Sequence, residues 1–457
     1  MSTDFHLQQA LLPDGWARDV RLNVGPDGTI MTLTIGEPAQ PDDTRLGIAL
    51  PGMANLHSHA FQRAMAGLSE RRGPGTDSFW SWRDVMYRFL DRLNPDAVEA
   101  IAAMVQVEML EAGFTAIGEF HYLHHTPDGT PHDDPGEMAA RICAAAETTG
   151  IALTLLPVLY RWAGFNQAAA TPGQRRFIAA PDLYATLVER ARHHAGRLPH
   201  AVVGIAPHSL RAASMDDIHT ILPLAEGGPV HIHIAEQTAE VDACINTTGS
   251  RPVRLFLDQQ PVNDSWCLVH ATHMDAGEIR DLAASGAVAG LCPLTEASLG
   301  DGLFPAMDYL AAGGRIGIGS DSHIRIDLAE ELRLLEYGQR LTRRERNVLS
   351  APGVSTGRHL FDAACQGGAQ AIAQATGRIA VGQRADLVEL DQRHPVLAGR
   401  SGDALIDSWL FAGDARQVRS VHVGGIARVK DGRSVCREAV SRRYEATLQT
   451  IMADWTS

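Results

Sequence analysis

The chain has 457 residues, of which 45% are hydrophobic and 21% are charged, and this composition predicts a globular protein with a large buried core. The same composition excludes intrinsic disorder and fibrous repeats. A formal net charge of -14 argues against nucleic acid or an anionic membrane surface as the main partner, because both are themselves negatively charged. The net charge does not restrict the charge of a small substrate, because a binding site has its own local electrostatic field.

Cysteine usage and the start of the chain bear on cellular location. The six cysteines are Cys143, Cys244, Cys267, Cys292, Cys365 and Cys436. None belongs to a C-x-x-C pair, so we expect reduced, mostly buried thiols. The first residues, MSTDFHLQQALLPDG, contain no basic segment followed by an apolar one, so we expect no signal peptide. No apolar run approaches the length of a membrane span, and the expectation is therefore a soluble, cytoplasmic protein without a membrane partner.

In chain order, short apolar runs alternate with helical patterns from about residue 50 to residue 322. The runs are 47–56, 114–120, 151–160, 201–207, 230–236, 266–272, 287–293 and 315–322. Segments between them, such as DAVEAIAAMVQVEMLEAG and DLYATLVERARHHAG, have the apolar period of a helix. Continuous apolar strands that alternate with helices are typical of a parallel sheet covered on both faces. Eight such units predict a closed (β/α)8 TIM-like barrel, with a doubly wound open sheet as the alternative.

The two ends of the chain show a different pattern, in which short alternating segments are separated by turn signals such as GPDGT. We predict that these ends meet in a small β-sandwich formed by residues 1–50 and 378–457, beside a barrel in 51–377. Residues 323–377 have a helical pattern. The stretch 61–95 is too long for an ordinary loop between a strand and a helix. Long loops at the mouth of a barrel are where substrate contacts form.

Histidine and carboxylate residues stand at the ends of several predicted strands. In NLHSHAF, His57 and His59 are two residues apart, so both side chains point to one face of the strand. Later strand ends carry His208, His233, Glu236, His270 and Asp321. In a parallel barrel all these ends meet at one mouth, and nitrogen and oxygen ligands suit a divalent ion such as zinc. The pattern predicts a metal site, although His231 and His233 share a face and spacing does not choose between them.

The set HSH, HIHIAE, LVHAT and GIGSDS resembles the amidohydrolase superfamily, in its deaminase-like branch with one metal ion. The resemblance implies that one Zn²⁺ per chain, or another divalent ion, is bound by His57, His59, His233 and Asp321. It also implies that Glu236 is the catalytic acid/base, assisted by His270 and Asp321. The fourth strand has no lysine suited to carboxylation, which argues against the two-metal branch. His231 is then a packed histidine one layer below the ligands.

Longer segments narrow the resemblance to the formimidoylglutamate deiminases: LPGMANLHSHAFQRAMAGL, DSFWSWRDVMYR, EFHYLHH, PHSLRA and HIHIAEQ. The implied reaction is the hydrolysis of N-formimidoyl-L-glutamate to N-formyl-L-glutamate and ammonia. This small substrate has two carboxylates, and arginine binds a carboxylate through two parallel hydrogen bonds. The residues that we expect to contact the substrate are Gln62, Arg83, Tyr122, His208 and Arg211.

Two other functions remain open. A deaminase of an aromatic base or amino-heterocycle would use the same metal machinery, but its pocket would need aromatic stacking and no pair of arginines. A non-catalytic metal-binding barrel is disfavoured because Glu236 and Asp321 are both present.

Three further features have less weight. The histidines of HYLHH (121–125) are interpreted as solvated loop residues. Trp80 and Trp82 either wall the pocket or pack the loop. A homodimer is expected only by analogy with other barrels of this superfamily.

Overall fold

This computed structural model describes residues 3–72, 75, 77–453 and 455 of the chain. The strands are β1 (Thr3–Leu12), β2 (Gly15–Val24), β3 (Ile30–Ile35), β4 (Thr44–Pro51), β5 (Met53–Ser58), β6 (Phe114–His121), β7 (Ala152–Leu159), β8 (Val202–Val203), β9 (Ala206–Pro207), β10 (Val230–Ile234), β11 (Trp266–His270), β12 (Val288–Leu291), β13 (Arg315–Ile318), β14 (Leu387–Leu390), β15 (Val418–Val423), β16 (Ile426–Lys430) and β17 (Arg433–Ser434). The α-helices are α1 (Phe79–Leu90), α2 (Pro95–Glu111), α3 (Glu137–Thr149), α4 (Pro181–Ala195), α5 (Met215–Ile221), α6 (Thr238–Thr248), α7 (Pro252–Gln259), α8 (Ala276–Ser285), α9 (Pro293–Leu299), α10 (Ala306–Ala311), α11 (Leu328–Arg343), α12 (Thr356–Ala371), α13 (Asp403–Ala412) and α14 (Arg437–Met452). Within these ranges no helix has both the length and the apolar character needed to cross a bilayer.

Eight parallel strand positions close into a barrel within the described residues. Strands β5, β6 and β7 pair in sequence order, β7 pairs with both β8 and β9, and β10 to β13 form a second parallel run. Parallel bridges from Ile205 to Val230 and from Ser58 to Asp321 join the two runs into one ring. The predicted (β/α)8 barrel is therefore confirmed, and the open doubly wound sheet is wrong.

The first predicted strand, 47–56, is wrong as a single element. The chain divides at Gly52, so that β4 joins the sheet of the chain ends and β5 begins the barrel. A Cβ atom at Gly52 would lie 2.3 Å from the side chain of Thr115, so this close approach requires glycine. The Gly52 amide donates a hydrogen bond to the Asp386 carbonyl (2.9 Å), which ties the junction to the terminal sheet.

Strands from both ends of the chain form a second, smaller β-domain. In the part of the chain that the structure describes, its sheet has the order β17-β16-β15-β14-β4-β1-β2-β3, and the β1–β4 pair is parallel. Alternate residues of β4 face different hydrophobic cores, because successive side chains of a strand point to opposite faces of the sheet. Ile48 and Leu50 pack in the main core with the barrel, whereas Ala49 packs with Phe5 and Leu22 in a separate small core. The β-sandwich built from both termini is confirmed, while the residue boundaries of the two domains stay a prediction.

The long segment after β5 contains helices, which corrects its interpretation as a loop in 61–95. A 3-10 helix spans Ala60–Met65, and α1 follows, with Ser78 capping its first turn. Tyr87 of α1 lies against Gly173, where a Cβ atom would come within 2.6 Å of the tyrosine ring. Helix α1 therefore packs in a defined position beside the mouth of the barrel.

Helix α12 packs directly on the last barrel strand. A Cβ atom at Gly367 would lie 1.9 Å from the carbonyl oxygen of Ile316 in β13. This contact supports the strand from whose end Asp321 emerges.

We expect Gly367→Ala to destabilise the protein by about 1–3 kcal/mol, because the added methyl group must push α12 away from β13. Gly164→Ala is the matched control, since its nearest neighbour would be Asn166 Oδ1 at 3.4 Å. Urea unfolding followed by circular dichroism measures both variants. Equal unfolding midpoints would contradict this account of the packing.

Candidate active site and metal centre

The four predicted metal ligands lie together at the carboxyl ends of the barrel strands. His57 belongs to β5 and His59 follows it, His233 belongs to β10, and Asp321 stands just beyond β13. The Asp321 amide donates to the His57 carbonyl (3.0 Å), and the His59 amide donates to the Asp321 carbonyl (3.0 Å). Closure of the barrel between its first and last strands therefore sets the spacing of three of these side chains.

Their side-chain donor atoms are close enough to share one ion. His233 Nε2 lies 3.0 Å from His57 Nε2 and 3.3 Å from His59 Nε2. Asp321 Oδ1 lies 3.6 Å and 3.3 Å from the same two nitrogens. Tetrahedral ligands at about 2.0–2.1 Å from a zinc ion are about 3.3 Å from one another. Four of the six distances within this set are therefore close to those of a tetrahedral metal site.

His59 and His233 turn unprotonated nitrogen atoms toward each other. His59 Nδ1 donates to the Phe120 carbonyl (3.0 Å) and His233 Nδ1 donates to the His208 carbonyl (3.0 Å), so each Nε2 keeps a free electron pair. Burial lowers the pKa of His59 to about 3 and also lowers the pKa of His57 and of His233 well below the usual value. The rings are therefore neutral. Facing electron pairs repel one another unless a cation lies between them, so these histidines can hold a divalent metal ion.

The backbone is strained where the functional side chains leave the strands. The φ angle is 67° at His270, 45° at Asp321 and 51° at Ala235, the residue before Glu236. Residues other than glycine avoid this left-handed region, and each exception costs about 1–3 kcal/mol. Strain of this kind is typical of sites where the surrounding structure holds ligand and catalytic residues in place.

A second group of ionisable side chains surrounds His270. Its Nε2 lies 3.8 Å from Asp321 Oδ2 and 3.9 Å from Glu236 Oε1. Its Nδ1 donates to Glu296 Oε1 (3.1 Å), which also accepts the Cys292 amide (2.9 Å). Asp321 thus faces His57 and His59 with Oδ1 and His270 with Oδ2, so one carboxylate connects the two groups.

A chain of buried polar side chains runs beneath the metal ligands. Asn55 Nδ2 donates to Ser320 Oγ (2.6 Å), which is 2.9 Å from His323 Nδ1. His323 Nε2 is 2.9 Å from Ser58 Oγ, and Ser58 donates to Glu119 Oε2 (2.5 Å). The chain connects residues beside the H-x-H pair to residues beside Asp321, and it holds both segments in register. Sequence analysis missed it, because these residues form no local motif.

A cavity opens from these side chains toward α1. Its lining contains all the predicted substrate and acid/base residues: Gln62, Arg83, Tyr122, His208, Arg211, Glu236, His270 and Asp321. Gln62 Nε2 donates to the Tyr122 hydroxyl (2.8 Å), and Gln62 Oε1 has no partner among the described residues. The lining residues that sequence analysis missed are Phe79, Met86, Tyr87, Tyr160, Phe177, Leu299 and Ser322. Of these, Tyr160 carried a signal, since it ends the third apolar run.

The two predicted arginines lie against the same tryptophan. The guanidinium carbon of Arg83 is 4.4 Å from the centre of the Trp80 ring, and that of Arg211 is 5.8 Å from it. Arg211 approaches Glu236 and Glu240 only to 3.7 Å and 3.8 Å. The buried Nε atom of each arginine has no hydrogen-bond partner within the described chain. Two cations with unused donors in one cavity form a site for anionic groups.

Both interpretations of the tryptophan pair are correct for one member each. Trp82 lines the cavity, whereas Trp80 packs against the two arginines.

The histidines of segment 121–125 are buried, so their interpretation as solvated loop residues is wrong. His124 Nε2 and His125 Nε2 lie 2.9 Å and 2.8 Å from backbone carbonyl groups of neighbouring segments. These bonds satisfy the Nε2 atoms of His124 and His125, which solvent would otherwise solvate, whereas Nε2 of His121 has no partner among the described residues. His231 lies below the ligands as predicted, with its Nε2 2.7 Å from the Ala371 carbonyl.

Comparison with known proteins agrees with this geometry. The chain matches the family model "Amidohydrolase family" over residues 48–427 and the model "Formimidoylglutamate deiminase HutF, N-terminal domain" over residues 3–47. It is 51% identical over 449 residues to the formimidoylglutamate deiminase of Pseudomonas aeruginosa, which covers 97% of this chain and 98% of that protein. It is 27% identical over 424 residues to a 5-methylthioadenosine/S-adenosylhomocysteine deaminase of Natronomonas pharaonis, with 90% of each chain covered.

Solved structures show the same relationship. An amidohydrolase from Brucella melitensis superposes with a TM-score of 0.94 and 49% identity, covering 98% of this chain and 100% of that one. An adenosine deaminase from Xanthomonas campestris with bound zinc has a TM-score of 0.81 at 20% identity, covering 99% and 98%, and it shares the fold. The family resemblance found in the sequence motifs is therefore confirmed: the chain belongs to the amidohydrolase family and, within it, to the formimidoylglutamate deiminases.

Proposed function

We propose that this protein hydrolyses N-formimidoyl-L-glutamate to N-formyl-L-glutamate and ammonia, with one zinc ion or a similar divalent ion per chain. The observation that carries the proposal is that one cavity contains a set of metal donors and two arginines with unused hydrogen-bond donors. A linear amidine with two carboxylates complements both features. The 51% identity to the formimidoylglutamate deiminase of Pseudomonas aeruginosa supports the same reaction.

The proposed metal ligands are His57, His59, His233 and Asp321. When bound there, a divalent ion supplies Lewis acidity, which lowers the pKa of water toward neutrality. The chain contributes the orientation of the ligands. The carbonyl groups bonded to Nδ1 of His59 and of His233 hold those rings with Nε2 facing inward.

The proposed reaction adds water to the formimidoyl carbon and breaks its bond to the terminal nitrogen. Asp321 accepts the proton of the attacking water through Oδ2, the oxygen that faces His270. Glu236 delivers a proton to the departing nitrogen, so that ammonia leaves and not an amide anion. His270 lies 3.8 Å from one of these carboxylates and 3.9 Å from the other, and from this position it assists proton movement.

Substrate binding divides between the charged and the neutral residues of the cavity. Arg83 and Arg211 bind the two carboxylates, because each offers donors that the protein leaves unused. Gln62 Oε1, which also lacks a partner in the described chain, accepts an N–H of the formimidoyl group. Tyr122 and His208 border the reacting end, where His208 also orients His233 through its carbonyl group.

Deamination of an aromatic base remains the alternative, since Phe79, Trp82 and Phe177 line the cavity. A neutral heterocycle without acceptor groups beside the arginines would leave the buried Nε donors of Arg83 and Arg211 unpaired, which favours the dicarboxylate. The homodimer, the cytoplasmic location and the exclusion of nucleic acid and membrane partners stay predictions.

Removal of a metal ligand should abolish both metal binding and ammonia release. We expect this for His57→Ala and Asp321→Ala, because each removes one donor of a four-donor set. His231→Gln is the matched control: it changes a buried histidine beside His233 that bonds to a backbone carbonyl, and it should keep the ion. Elemental analysis of the purified proteins measures the metal content per chain. Full metal occupancy in both ligand variants would refute the assignment.

Glu236→Gln should lower kcat by about 10²-fold or more while the metal stays bound, because the amide cannot deliver the proton. Steady-state ammonia release, with metal content measured on the same sample, checks this. Near-normal turnover in the fully metallated variant would remove Glu236 from the mechanism.

Arg83→Ala and Arg211→Ala should each lower kcat/KM for formimidoylglutamate, because a substrate carboxylate loses its partner. The expected loss of transition-state stabilisation is about 2–5 kcal/mol for each variant. Lysine at either position should restore only part of the loss, since it lacks the two-pronged donor geometry. Arg161→Ala is the control, because Arg161 is already paired with Asp217. It should change kcat/KM little.

The parent and the three alanine variants, Arg83→Ala, Arg211→Ala and Arg161→Ala, are also assayed with N-formimidoyl-glycine, which lacks the side-chain carboxylate. The parent should strongly prefer formimidoylglutamate. Equal use of the two substrates by the parent would end the dicarboxylate assignment and leave the metal hydrolase assignment standing.

A further inference from the structure

We infer that the mouth of the barrel contains a second, inhibitory ion site, selective for thiolate-binding ions such as Zn²⁺ or Cd²⁺. The site consists of His270, Cys292 and Asp321, with Glu236 as the fourth ligand. The donor atoms of the first three residues all lie within 4.8 Å of one another, and all three residues are buried.

His270 lies close to both carboxylates of this site. His270 Nε2 lies 3.8 Å from Asp321 Oδ2 and 3.9 Å from Glu236 Oε1. The other ring nitrogen of His270 is engaged by Glu296, so Nε2 is the atom that remains for an ion. Small side-chain rotations can bring these donor atoms to the separations that ligands of one ion have.

Asp321 is placed to bridge the two sites. Its Oδ1 faces His57 Nε2 and His59 Nε2 at 3.6 Å and 3.3 Å, whereas its Oδ2 faces His270. In two-metal sites the ions are commonly about 3.5–4 Å apart, a separation that a carboxylate can bridge with one oxygen on each ion. The second ion can therefore bind without displacing the first.

Cys292 gives the site its selectivity. The residue is completely buried at the end of β12, and its thiol is not part of a disulfide. When an ion binds, the S–metal bond and the bond to His270 Nε2 form, and the thiol proton and the proton on that nitrogen are released to solvent. A set of thiolate, imidazole and carboxylate ligands suits Zn²⁺ or Cd²⁺, whereas Mg²⁺ prefers oxygen ligands alone.

Occupation of this site would block the proposed reaction. The ion takes the lone pair of His270 and the carboxylate of Glu236, the groups to which we assign proton movement. Inhibition therefore rests on the proposed function, whereas binding of the ion does not.

The test begins with protein that carries one equivalent of Zn²⁺ and adds Cd²⁺ in steps. The measurements are both metals bound per chain after gel filtration, the ultraviolet charge-transfer band of cadmium thiolate, and ammonia release. The parent should bind one further ion, develop the band and lose most of its activity. Mg²⁺ at the same concentrations should do none of these.

Cys292→Ala and the closer mimic Cys292→Ser should bind one ion only, show no band and keep their activity in excess Cd²⁺. Cys365→Ala is the matched control, because Cys365 is an equally buried free thiol on α12, and it should respond like the parent. The inference is overturned if the parent binds no second ion, or if the Cys292 variants titrate like the parent. A second ion and a band in a protein without formimidoylglutamate activity would uphold the site and reject the proposed function.

Discussion

Three buried imidazole rings, those of His57, His59 and His233, turn their Nε2 atoms toward one another, and this arrangement constrains the rest of the active site. Two of the rings are held there by carbonyl groups of Phe120 and His208. Mutual repulsion would separate the rings without a cation between them, so the surrounding structure must supply rigidity. It does so through the backbone bonds that close the barrel at Asp321, and through the polar chain from Asn55 to Glu119.

Recognition and chemistry share neighbouring side chains in this cavity. Arg211 lies 3.7 Å from Glu236, and His270 lies 3.9 Å from the same carboxylate. In the proposed function, a substrate carboxylate on Arg211 is bound next to the group that we assign to proton delivery. Trp80 packs against both arginines and keeps them on one side of the cavity. This proximity explains how binding of the remote carboxylates can orient the formimidoyl group, and why loss of one arginine should affect turnover as well as affinity.

The barrel and the gathering of the proposed ligands at its mouth could be predicted because their signals are local. Apolar runs mark the strands, and His57, His59, His233 and Asp321 stand at strand ends that any parallel barrel brings together. Features that depend on distant partners could not be predicted. The need for glycine at position 52 comes from Thr115 on another strand, and the burial of His124 and His125 depends on carbonyl groups from elsewhere in the chain.

Glu296 was missed for a related reason: it orients His270 from helix α9, where a carboxylate carries no strand-end signal.

The active site proposed here depends on one divalent ion bound by His57, His59, His233 and Asp321. X-ray absorption at the zinc edge of protein loaded with one equivalent of zinc tests it most directly. The account predicts a four-coordinate ion with only nitrogen and oxygen neighbours at about 2.0–2.1 Å. A sulfur neighbour at one equivalent, or a six-coordinate ion surrounded by water, would contradict it.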